Sequence, residues 1–358
     1  MKGLVLSGGT GSRLRPITYT SAKQLVPIAN KPILFYGLES LARAGVVEVA
    51  VVVGDTASEV IAALGDGSAF GLKLTYLHQS APLGLAHCVR IAAEYLGDDD
   101  FVMYLGDNFI LNGVEQFIQS FRERDASVAA QILLAKVSDP QRFGVAVLDG
   151  SGRVTKLIEK PKSPPSDLAL VGVYLFDKSI HAAVNAIDPS PRGELEITDA
   201  LDWLLDRGAN VRSAIVEGYW KDLGEPEALL DGNRLALDGV EPSLKGTVDS
   251  ASRVEGRVSI DEGAAIVNSL VRGPAIIGAG TRVVDSFIGP YTSVGPGCEI
   301  LQSEIEYSIV LADSHVHDIV RLEGSILGKG VRVTRRKVRP SASRLVIGDN
   351  SVVEIHRS

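Results

Sequence analysis

The chain has 358 residues, of which 45% are hydrophobic and 22% charged, with a formal net charge of −8. That length predicts two domains, that balance predicts a soluble globular protein, and the negative charge argues against nucleic-acid binding. No apolar run reaches the roughly 18 residues of a membrane span, Met1-Lys2 leads straight into a strand rather than a signal peptide, and Cys88 and Cys298 are too few for a disulfide framework or a metal cluster; a cytoplasmic protein with no membrane partner is expected.

The first apolar run, Gly3–Leu6, suits a buried strand, and it opens into the loop SGGTGSRLRP. Gly8, Gly9 and Gly11 let the backbone turn tightly and approach a ligand, Ser12 follows, and Arg13 adds a forked cation suited to phosphate oxygens. The loop lacks the Lys-Ser or Lys-Thr of a Walker A motif. It also lacks the third glycine and the later acidic residue of a dinucleotide fingerprint. A phosphate or nucleotide site of another kind is the reading, and Lys23 adds a second cation soon after.

From here to about residue 236, strands alternate with helices. The runs GLVLS, VVEVAVVVG, LKLTYLH, DDFVMYLGD, ASVAAQILLA, GVAVLD and LVGVYLFD read as strands. Stretches near 34–44, 56–64, 84–96, 113–124, 178–187, 197–207 and 225–236 read as helices. The alternation predicts an α/β domain over residues 1–240, with a mostly parallel sheet covered on both faces and its ligands at the carboxyl ends of the strands. After about 245 the helical period disappears. Aliphatic residues then recur every six positions, from Ile277 to Val283, then, after the phase slips by one residue, at Ile288, Val294 and Ile300, and again from Leu327 to Val333 and from Ile347 to Val353. This hexad repeat predicts a parallel β-helix over 245–358, with ALDGVEPSLKG (236–246) as the joint.

Taken together the motifs resemble the sugar-1-phosphate nucleotidylyltransferases, most of all the glucose-1-phosphate thymidylyltransferases in their longer form. GGTGSRLRPIT (8–18), SAKQLVPIANKPI (21–33), QSAPLGLA (79–86), LGDN (105–108), RFGV (142–145), IEKP (158–161), SPRGELEITD (190–199) and YWKDLGE (219–225) carry the resemblance, in family order. It implies a Rossmann-like nucleotidyltransferase domain followed by a left-handed β-helix. It implies transfer from dTTP to glucose 1-phosphate, giving dTDP-glucose and pyrophosphate and feeding deoxysugar synthesis. By the same resemblance Gly8, Gly9, Gly11, Ser12, Arg13, Lys23, Gln79 and Gly84 bind the nucleotide. Asn108, Gly144, Glu159, Lys160 and Leu170 bind the sugar phosphate, with Arg192 and Glu194 nearby. Asp107 and Asp222 hold Mg²⁺, and Arg13, Lys23 and Lys160 are the catalytic cations. Ser12 and Leu223 stand where the family usually has threonine, and neither change removes a charged group.

These residue types fit the chemistry. A phosphate monoester has a second pKa of about 6, so the nucleophile is already largely dianionic at neutral pH and needs no general base. The task is to position two polyanions and neutralise their charge. A methyl group in an apolar pocket is worth only about 1–3 kcal/mol, so some use of UTP is expected. Two other readings stand beside this one: a UTP-dependent uridylyltransferase, and a non-catalytic regulatory or structural subunit of the same fold. The β-helix is expected to build a homo-oligomer without chemistry of its own. His315 and His317 then read as loop histidines in a repeat interruption, and TRRKVRPSASR (334–344) as a basic insertion.

Overall fold

The structure is a computed structural model that describes residues 1–9 and 11–335. The hexad 347–353, and the basic insertion beyond Arg335, lie outside the described residues. Contacts divide the chain into two units. The first holds residues 1–13 and 21–232; the second holds 14–20 and the chain from Asn233 onward. Among the described residues no helix is long and apolar enough to cross a membrane.

The first unit is built on a nine-stranded sheet. Lys73–His78, Glu48–Val53, Lys2–Ser7 and Phe101–Leu105 lie side by side and parallel, as the alternation predicts. The sheet becomes mixed where Leu168–Phe176 joins, antiparallel to Phe101–Leu105 and to Val128–Lys136. Val154–Glu159 and Asn210–Ile215 are two further strands of this sheet. Successive side chains of a strand point to opposite faces, and both faces are buried here. Leu4, Leu6, Ala50, Val52, Phe101 and Met103 pack under the helices Leu85–Ile91, Ile180–Ala186 and Ile197–Asp206. Val5, Val49, Val51, Val102 and Tyr104 pack on the other face, under Ile33–Arg43, Ala57–Leu64 and Glu115–Arg122. The register aligns Ser7 with Val53, Val53 with His78 and Leu6 with Leu105. The loops carrying Gly8–Arg13, Gln79–Gly84 and Gly106–Asn108 therefore leave one edge of the sheet, at the carboxyl ends of its strands. A separate two-stranded ribbon pairs Asn108–Ile110 with Trp220–Asp222 and sets Asp222 opposite Asn108.

The second unit is the expected β-helix: three parallel sheets, each strand two or three residues long. Ile260, Ile266, Val271, Ile277, Val283, Ile288, Val294, Ile300, Ile305, Val310 and Val316 fill its interior. At one corner serines form a ladder, in which the N–H groups of Ser269, Ser286 and Ser303 each donate to the serine hydroxyl 17 residues earlier. The backbone groups that a sharp corner would leave unpaired are thus satisfied coil to coil. One expectation is corrected. His315 and His317 are not on a loop but on the strand His315–His317, because Val316 between them occupies the next interior position.

Candidate active site

Two neighbouring hollows lie along that strand edge and share Leu85 and Leu105 as walls. The smaller, of 210 Å³, is lined by Gly8, Gly9, Gln24, Gln79, Gly84 and Asp107 among others. The larger, of 570 Å³, is lined by Arg13, Asn108, Gly144, Glu159, Lys160, Leu170, Arg192 and Asp222, together with Arg142 and Glu225.

In the smaller hollow the glycine loop runs between two buried glutamines. A Cβ on Gly8 would lie 3.4 Å from Gln79 Oε1, and one on Gly9 3.5 Å from Gln24 Nε2. Gln79 Nε2 donates to Gly84 O at 3.4 Å and lies 3.1 Å from His87 Nδ1. Gly84 sits at φ +101°, and a Cβ there would stand 2.4 Å from Leu195 O, so no other residue fits without moving backbone. Gly11 also has positive φ, and Ser12 opens a short 3-10 turn that carries Arg13.

Asp107 and Asp222 are brought together by the ribbon and by the Leu223 N–H, which donates to Asp107 O at 3.0 Å. Lys23 stands between them. Its ammonium pairs with Asp107 Oδ2 and lies 3.9 Å from Asp222 Oδ1. Burial alone would depress Lys23, but the two carboxylates together outweigh it and hold the ammonium above its usual range. Burial likewise opposes ionisation of Asp107, and Lys23 reverses the balance, so that carboxyl is held below its usual range. For Asp222 burial wins, reinforced by the Asp107 charge, and its carboxyl is pushed up to about 6. Asp222 Oδ1 is buried and accepts no hydrogen bond. Two crowded carboxylates, one with an orphaned oxygen, form a hard, anionic site that a divalent cation fits. Arg13 closes this corner, with Nη2 3.8 Å from Asp222 Oδ2 and Nη1 3.1 Å from Glu225 Oε1.

At the other end of the larger hollow, Glu159 is a hub. Its Oε1 lies 3.3 Å from both Lys160 Nζ and Arg192 Nη1, and its Oε2 accepts from Thr198 Oγ1 at 3.3 Å. Gly144 is packed so closely that a Cβ would lie 2.8 Å from Thr198 Cγ2, 3.2 Å from Glu159 Oε2 and 3.6 Å from Leu170 Cδ1. Lys160 has φ +39°, in the left-handed region, and its N–H donates to Phe143 O at 3.0 Å. Arg192 also pairs with Glu194 at 3.0 Å and Glu196 at 3.3 Å.

Asn108 lines the same hollow, but its carboxamide is heavily committed. Oδ1 accepts from Gly172 N at 3.1 Å and from Trp220 Nε1 at 2.6 Å, while Nδ2 donates to Asp107 Oδ1 at 3.1 Å. The fold also adds residues that the sequence reading did not single out. Arg142 pairs with Glu225, so Glu225 holds two guanidiniums at the edge of the hollow. Gln24 Oε1 is buried without a partner, beside the glycine loop. Both Arg142 and Gln24 lie within quoted motifs; their position inside RFGV and KQL was the available signal, but only the fold gives them neighbours.

A family model described as nucleotidyl transferase matches residues 2–239. The chain is 58% identical over 355 residues to a glucose-1-phosphate thymidylyltransferase of Streptomyces antibioticus, covering 99% of each chain. It is 56% identical, with the same coverage, to one of Streptomyces griseus. Among solved structures it is similar to a Bacillus anthracis protein described as a glucose-1-phosphate thymidylyltransferase, in complex with sucrose. That match has TM-score 0.62 and 35% identity, and covers 66% of this chain and 95% of the other. A hexad-repeat β-helix following an α/β unit along the chain, a glycine loop ending in Arg13 and full-length similarity of this order agree: the chain belongs to the nucleotidyl transferase family, among the glucose-1-phosphate thymidylyltransferases.

Proposed function

We propose that the chain transfers a thymidylyl group from dTTP to glucose 1-phosphate, giving dTDP-glucose and pyrophosphate with Mg²⁺ as the cation. The observation that carries the reading is the buried Lys23 held between Asp107, which lines the smaller hollow, and Asp222, which lines the larger one beside Arg13, Arg142, Lys160 and Arg192. A nucleoside triphosphate and a sugar 1-phosphate need two such hollows joined at a charge-neutralising centre. The full set of cations and carboxylates also favours an enzyme over a non-catalytic subunit.

In the reaction a phosphate oxygen of the sugar 1-phosphate attacks the α-phosphorus. The new P–O bond forms as the α–β phosphoanhydride breaks, and pyrophosphate carries away the electron pair. The nucleophile is already anionic, so no side chain removes a proton. The base lies in the smaller hollow against Gln79 and Gly84, with the apolar Leu6, Pro82 and Leu85 around it. Gly8, Gly9, Gly11 and Ser12 admit the triphosphate close to the backbone. Arg13 exchanges its contact with Glu225 for phosphate oxygens, and Lys23 offsets the charge that builds on the leaving group. Lys160 holds the phosphate of the sugar, while Glu159 and the Gly144 backbone meet its hydroxyls and Leu170 backs the ring. Asp107 and Asp222 would hold Mg²⁺, which supplies charge neutralisation at the reacting phosphates. The β-helix serves self-association; its outer faces carry exposed apolar side chains such as Val254 and Val320.

The test is pyrophosphate release across a grid of nucleoside triphosphates and sugar 1-phosphates, with and without EDTA. Turnover with dTTP and glucose 1-phosphate, lost in EDTA, is expected, with slower use of UTP. Preference for UTP would make the chain a uridylyltransferase, and absence of turnover with either would refute the reading.

A further inference from the structure

The β-helix carries a cluster that nucleotidyl transfer does not use. Glu299 sits on the strand Glu299–Leu301, and His315 and His317 on the next strand of the same sheet, with Glu299 paired to His315 and Leu301 to His317. Residues i and i+2 of a strand share a face, so both imidazoles stand on the outer side while Val316 is buried inside. Glu299 Oε2 lies 3.5 Å from His315 Nδ1 and 3.1 Å from His317 Nε2. The three ligand atoms all lie within 4.8 Å of one another. His317 Nε2 is shut off from solvent and makes no hydrogen bond; its close contact is the Glu299 carboxylate. The second carboxylate oxygen is held by Arg282 Nη1 at 2.9 Å, which fixes the direction of the first.

The geometry points to a binding site for a divalent transition metal of the zinc class, made by Glu299, His315 and His317. Ligands at about 2.0–2.2 Å from a tetrahedral ion stand about 3.3 Å apart, which is the spacing the carboxylate already keeps from each imidazole. Two imidazoles and one carboxylate favour zinc, nickel or copper over magnesium, which prefers oxygen ligands and retained waters. Three protein ligands leave a further position for water or another donor. The ligands sit on two hydrogen-bonded strands anchored by Ile300 and Val316, both fully buried, so the backbone of the site is fixed before the ion arrives. The charged neighbours are Arg282 and, by register, Arg332 on the strand Arg332–Thr334. They leave the site less anionic than the Asp107–Asp222 pair, which keeps the two sites chemically distinct.

The experiment is calorimetric titration of the full chain, stripped with EDTA and desalted, with zinc chloride, for the native protein and for His315→Ala/His317→Ala. The native chain should bind one more Zn²⁺ than the double variant, and Glu299→Gln should weaken that ion. Cobalt(II) should give the native chain intense visible bands that the double variant lacks, because low-coordinate histidine ligation allows them and a water-rich carboxylate site does not. Magnesium-dependent pyrophosphate release by the double variant should match the native rate, which also certifies its fold. If that variant fails to fold, His317→Gln, of similar volume, takes its place with the same expectation. Equal zinc stoichiometry in native and variant chains, or none in either, overturns the assignment.

Discussion

Asn108→Ala is the sharpest test of how the carboxylates are held. The native carboxamide makes three hydrogen bonds, to Gly172 N, Trp220 Nε1 and Asp107 Oδ1, at a position only 3% exposed. Alanine removes all three and leaves the Gly172 amide and the Trp220 indole as donors without acceptors. Each orphaned buried donor costs about 1–3 kcal/mol, so the loss should be about 2–6 kcal/mol, a large part of a typical domain's stability. Water entering the vacated space would bring the value to the lower end of that range. Asp107 also loses the donor that turns its carboxylate, so kcat should fall as well. Urea unfolding followed by tryptophan fluorescence reads the first effect, and pyrophosphate release at saturating substrates reads the second. A loss below about 0.5 kcal/mol, the scale of an uninvolved surface change, together with native kcat, would refute the claim that Asn108 positions Asp107.

Other consequences are independent of that network. Lys160→Ala should raise KM for glucose 1-phosphate roughly 10–150-fold, the equivalent of about 1.5–3 kcal/mol for a hydrogen bond to a charged group, while KM for dTTP stays put. Gly144→Ala places a methyl group 2.8 Å from Thr198 Cγ2 and 3.2 Å from Glu159 Oε2. Overpacking of about 1–3 kcal/mol should appear as weaker sugar-phosphate binding, read by steady-state kinetics against each substrate. Asp222, pushed up to about 6 by burial and then by Asp107, binds its proton more tightly in the folded chain than in the unfolded one. Its contribution to stability is therefore complete below about pH 4 and is lost as pH rises through about 6. In EDTA, Asp222→Asn should gain on the native chain by up to about 3 kcal/mol between those limits, measured by urea unfolding at each pH. A difference that does not change with pH would contradict the assigned direction.

Local pattern made much of this protein legible in its sequence. The glycine loop and Arg13 carry the expectation of a phosphate site because backbone freedom and a forked cation are properties of single residues. The hexads announce the β-helix because each aliphatic residue must point inward whatever surrounds it, and the alternation of strands and helices gives the α/β unit for the same reason. What tertiary structure decided is whatever depends on partners far apart along the chain. Asn108 meets Gly172 and Trp220 across 64 and 112 positions, and Arg142 meets Glu225 across 83. No periodicity encodes such a meeting, so a sequence motif could offer Asn108 to a sugar site, but only the fold shows it lining the larger hollow with its carboxamide bonded to Asp107. His315 and His317 make the same point. Read locally they interrupt a repeat, but once Val316 takes its interior place the pleat sets both rings on one face, and the coil before them delivers Glu299. Register between strands, which the sequence specifies only through the packing of the whole coil, turns two isolated histidines into a cluster.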